Sequence, residues 1–139
     1  MADAGQARPE KVESAPFPAD ELRVYMEGNA AAVRATGVEE FGQVADSLDQ
    51  IVTELPALSA DLEALEQRLT VLEQRLIALA RSRQTEEQAL EARRDLEAHL
   101  RPWRSKMTAP QISMLETQYM DRSTLAAAGL PRLSLFYLR

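Results

Sequence analysis

The sequence predicts an all-α protein: a long heptad-repeat coiled-coil helix with shorter flanking helices, a disordered N-terminal tail and an apolar C-terminal extension. Three observations carry this prediction. The 139 residues are rich in Ala, Leu, Glu and Arg, with only 5 Gly and 5% aromatic residues, and unbranched side chains of this kind lose little rotamer freedom on a helix. Twelve apolar residues from Phe41 to Leu79 follow one another at intervals that alternate strictly between three and four, the signature of a coiled-coil seam. The final ten residues, LPRLSLFYLR, hold six large apolar side chains, more than an isolated surface terminus normally leaves in water.

Taken in order, residues 1–18 place Pro9, Pro16 and Pro18 among small and charged residues. Such a segment buries too little apolar surface to offset its ordering entropy, so a disordered tail is expected. Residues 19–37 form a short helix, with Asp20 and Glu21 at the positive end of its dipole and Leu22, Tyr25, Met26 and Val33 on one side. Thr36 and Gly37 break it, glycine supplying the positive φ common at a helix C-terminus. A heptad helix follows over 38–55 and a long coiled-coil helix over 57–101, with Pro56 between them because proline is excluded from a helix interior. Phe41, Leu48, Leu55, Leu62, Leu69 and Leu76 take the a positions, and Val44, Ile51, Leu58, Leu65, Leu72 and Leu79 take d.

Beyond Leu79 the same register would bring Arg83, Glu86 and Arg93 into the core, so the apolar set shifts to Ala89, Leu96, Leu100, Trp103 and Met107 as a stutter. Continued from Ser59 to Leu100, the helix would be a rod of roughly 60 Å at 1.5 Å per residue. Pro102 ends or kinks it. A last helix over 108–129 opens on the capping box of Thr108 and Gln111, shows Ile112, Leu115, Tyr119 and Leu125, and closes at Gly129. Residues 130–139 are the apolar docking tail.

The same composition narrows function. There is no Cys and one His, which removes disulfides, thiolate chemistry and Cys- or His-rich metal sites. No Ser-His-Asp spacing, phosphate-binding glycine loop or metal-ligand cluster accompanies the carboxylates. No catalytic residue, metal or cofactor is therefore expected, and the chain is read as a non-enzyme. His99 and Trp103 share one helical face, but without a second His or a base-orienting partner their role is structural. No apolar stretch reaches the roughly 18 residues of a membrane span, and the first residues lack a secretory apolar core; a cytoplasmic protein is expected.

The net charge of −6 divides into −10 over residues 1–66 and +4 over 67–139. The basic half is expected to meet an acidic partner, such as Glu39, Glu40, Asp46 and Asp49 of the first half. The seam is read as intermolecular, holding a homo-oligomer, with a dimer favoured, through Leu48, Ile51, Leu55, Leu58, Leu62, Leu65, Leu69, Leu72, Leu76 and Leu79. An intramolecular hairpin against helices 19–35 and 109–128 is the alternative. Leu130, Leu133, Leu135, Phe136, Tyr137 and Leu138 are the expected contacts with a protein partner, unless the tail is a strap sealing the core. Together these describe an adaptor, scaffold or assembly factor. Two other functions compete with it: a small dimeric regulator touching DNA or RNA through Arg93, Arg94, Arg101, Trp103, Arg104 and Lys106, and an acidic inhibitor or antitoxin-like protein.

Overall fold

In the first helix, α1 (Ala19–Ala35), Leu22, Met26, Ala30 and Val33 are buried at helical spacing, and Gly37 at φ 74° turns the chain back. These facts come from a computed structural model that describes residues 19–58 and 61–135. The expected disordered tail and Phe136, Tyr137 and Leu138 lie outside the described residues. Helix α2 (Glu39–Thr53) runs antiparallel to α1, and the Arg34 guanidinium ties the pair by reaching Asp46 at 2.7 Å and Asp49 at 2.6 Å. Of the four acids expected to meet the basic half, Asp46 and Asp49 are therefore held by α1 instead.

A four-residue helix, α3 (Leu55–Leu58), carries Pro56 in its first turn, where a missing N–H costs nothing. The Asp61 carboxylate then accepts the Ala64 N–H at 3.1 Å and caps α4 (Leu62–Ser82). Helix α4 is antiparallel to α2, with Arg68 donating to Glu54 at 2.7 Å and Arg75 to Gln43 at 3.5 Å.

This turn corrects the rod. The heptad seam folds on itself near Pro56, so its first half packs against its second, with α1 against α2. Phe41, Val44, Leu48, Ile51, Leu55, Leu65, Leu69, Leu72 and Leu76 are buried, and Leu58, Leu62 and Leu79 are half-buried. Each buried leucine contributes on the order of 1.5–3 kcal/mol. A heptad pattern says which face of a helix is apolar, and the break at Pro56 brings the nearest matching face from the same chain.

The single helix expected over 57–101 is also two. After Ser82 the chain breaks, and Thr85 with Gln88 forms a capping box that starts α5 (Glu86–Leu100). The break releases the chain from the register that would have placed Arg83 and Glu86 in the core. A 3-10 turn, Arg101–Trp103, contains Pro102 and leads to α6 (Ala109–Ala127), capped by Thr108 and Gln111 as the sequence predicts. Helices α5 and α6 form an antiparallel hairpin in which Arg104 bridges Glu97 at 2.7 Å and Glu116 at 3.2 Å. The hairpin joins the α1–α2–α4 bundle through Leu125 and through Arg81, which meets Asp121 at 2.9 Å. Among the described residues there is no strand, and no helix is long and apolar enough to cross a membrane.

Candidate functional site

Because α1 and α4 are each antiparallel to α2, they run parallel to one another, and the segment after α6 lies between them. Gly129 at φ 73° ends α6. Pro131 then disfavours helical geometry at Leu130, and residues 130–135 form a strap, irregular through Ser134, whose Leu130, Leu133, Ser134 and Leu135 are all buried.

The strap's main chain is held by side chains. From α1, the Tyr25 hydroxyl donates to the Arg132 carbonyl at 3.0 Å and shares its proton with the Ser134 carbonyl at 3.1 Å, while Asn29 Nδ2 donates to the Arg132 carbonyl at 3.1 Å. On the opposite side, Glu73 Oε2 of α4 accepts the Leu133 N–H at 3.0 Å, and Glu66 Oε1 accepts the Leu135 N–H at 3.0 Å. The other Glu66 oxygen accepts the Ser134 hydroxyl. Helical spacing explains this ladder. Tyr25 and Asn29 are one turn apart on α1, and Glu66 and Glu73 are two turns apart on α4, so each pair stands on one face. Alternate N–H groups of the strap meet carboxylates.

The electrostatics match the geometry. Glu73 is only 5% exposed, and a carboxylate at that depth requires partners; it has the Leu133 N–H and the Arg132 guanidinium, whose Nε lies 3.5 Å away. Burial is the main cause that raises the Tyr25 hydroxyl above its ordinary pKa, and the carboxylates of Glu73 and Glu66 add to it, against opposing contributions from Asn29 and Arg132. The phenol thus stays a neutral donor. Two acceptors, two donors and apolar seats for leucines make a groove that can hold an extended peptide largely by its backbone.

The expected tail contacts Leu130, Leu133 and Leu135 do come together, on the chain's own helices. The leucines expected to hold an oligomer lie in or at the edge of one chain's core. In the Arg-rich segment Arg93, Arg94, Arg101 and Lys106 are exposed, but Arg104 is engaged by two carboxylates and Trp103, 49% exposed, has the Lys106 ammonium 5.6 Å from its ring. His99 rests against the Tyr119 ring at 5.6 Å. Sequence reasoning missed Tyr25, Asn29, Glu66 and Glu73. The available signal was the pair Glu66 and Glu73, both at e positions beside the seam. Among the described residues no group of three or more metal-ligating side chains converges. Comparison of the chain with protein-family models, curated proteins and solved structures found no match.

Proposed function

We propose that this chain is a non-enzymatic protein-interaction module, an adaptor or assembly factor, in which the α1–α4 groove takes an extended apolar segment and the chain's own strap is its resident occupant. The observation that supports this most is the capture of strap main chain by Tyr25, Asn29, Glu66 and Glu73. Side chains that read N–H and C=O groups select extended backbone, and leucines two residues apart supply the apolar anchors, so another segment of the same form fits the groove. Exchange of the strap frees both the groove and the apolar tail for a larger assembly. The leucine seam in this reading builds the scaffold that holds α1 and α4 apart.

The test uses a labelled peptide of residues 129–139 and the full chain. Leu133→Asp weakens the resident strap and is expected to raise peptide affinity at least about tenfold over the native chain, the two states differing by the buried leucine. Adding Glu66→Ala and Glu73→Ala should abolish that gain, with helical circular dichroism retained. Equal affinity in the native and Leu133→Asp chains, or binding indifferent to the two glutamates, would sink the proposal.

A further inference from the structure

A cleft of about 360 Å³ lies outside the groove, between α5, the 3-10 turn and α6. Its volume falls within the range of small-ligand sites. Leu96, Leu100 and Leu115 give it an apolar floor, and His99, Trp103 and Tyr119 line it with rings. His99 and Tyr119 pack at 5.6 Å with a 32° tilt to form one wall, and Trp103, 49% exposed, leaves ring surface accessible beside it. Covering such a surface with a flat apolar body is favourable. The charged groups of the lining are the guanidiniums of Arg122 and Arg132, with no carboxylate among them. Arg122 lies 5.8 Å from the Tyr119 ring centroid, at the aromatic wall.

We propose that this cleft binds a small planar aromatic carboxylate, its ring against Trp103 and Tyr119 and its head group on Arg122. A guanidinium offers paired donors that match a carboxylate, and the Arg122 charge repels an ammonium, while the Arg132 charge is balanced by Glu73. The chain's own strap does not supply the occupant. It touches the cleft's edge at Arg132 and runs on to Leu135 beside Glu66. The cleft shares Arg132 with the strap, but the ring wall and Arg122 belong to α5, the 3-10 turn and α6, so its test does not depend on exchange of the strap.

Trp103 is the one tryptophan in the sequence, so its indole N–H resonance reports this cleft alone. The full chain is titrated by calorimetry and by nitrogen-edited NMR with naphthalene-2-carboxylate, and in parallel with naphthalene-2-methylammonium, the same body with the opposite charge. The carboxylate is expected to bind at least about tenfold more tightly than the ammonium and to shift the Trp103 indole signal. Arg122→Gln should weaken the carboxylate by on the order of tenfold and leave the ammonium unchanged or tighter. Absence of binding at millimolar carboxylate, equal affinity for the two charges, or heat without movement of the Trp103 signal each overturns the assignment.

Discussion

Glu73 shows at single-residue scale how the strap is secured. It is a buried carboxylate that satisfies a main-chain N–H and a guanidinium together. Glu73→Ala leaves the Leu133 N–H without its acceptor and is expected to cost about 1–3 kcal/mol in urea denaturation. Glu73→Gln, which retains an oxygen acceptor, should cost less, and the exposed Glu63→Ala little. Equal losses in all three variants would show that the strap contacts carry no weight. Tyr25 adds a pH signature. Its hydroxyl is raised chiefly by burial, so its contribution is fully present below the ordinary tyrosine value of roughly 10 and is lost as pH rises through the higher folded value. Alkaline titration of stability should therefore fall in the native chain and flatten in Tyr25→Phe; superimposable curves would contradict the assigned cause.

At the scale of elements the bundle and the hairpin differ in how much they bury. Helices α1, α2 and α4 contribute most of the main core, whereas α5 buries only Ala92, Leu96 and Leu100. Amide hydrogens of α5 and the first turns of α6 are expected to exchange faster than those of α2 and α4, because local opening follows buried contact. Thr85→Ala removes a capping box and should lower α5 protection by about 1 kcal/mol without touching α2; a uniform change across all helices would contradict that independence. Element boundaries also show what was legible beforehand. Thr108 with Gln111 was readable as a helix start, and Thr85 with Gln88 carries the same signature, hidden because the leucine seam drew the helix through it. Pro56 was readable as a break, but periodicity does not say whether a broken seam meets another chain or itself. That depends on tertiary contacts such as Arg68 with Glu54, which the pattern of one helix does not encode.

For the whole molecule, every seam side chain has neighbours in its own chain. Light scattering at several concentrations is accordingly expected to give one chain mass, 15.5 kDa, rather than twice that. Leu69→Asp, at a position with no exposed surface, should then abolish the cooperative thermal transition instead of splitting an oligomer. A dimer that dissociates into folded protomers in the variant would return the seam to an intermolecular role. The all-α class was legible in the sequence, as was the apolar character of residues 130–135, whose three leucines are buried. The strap's destination was not, because Tyr25 and Ser134 are 109 residues apart and no local pattern encodes such a pairing.

That separation also has a consequence for how the molecule is made. Tyr25 and Asn29 leave the ribosome long before the segment that they hold is synthesised, and Glu66 and Glu73 wait as well. Throughout that interval the nascent bundle presents an uncovered apolar furrow edged by Glu66 and Glu73. Closure awaits the synthesis of residues 130–135 and is a step of high contact order, slow relative to helix formation. A ribosome that stalls before codon 130 therefore releases a chain whose furrow stays open.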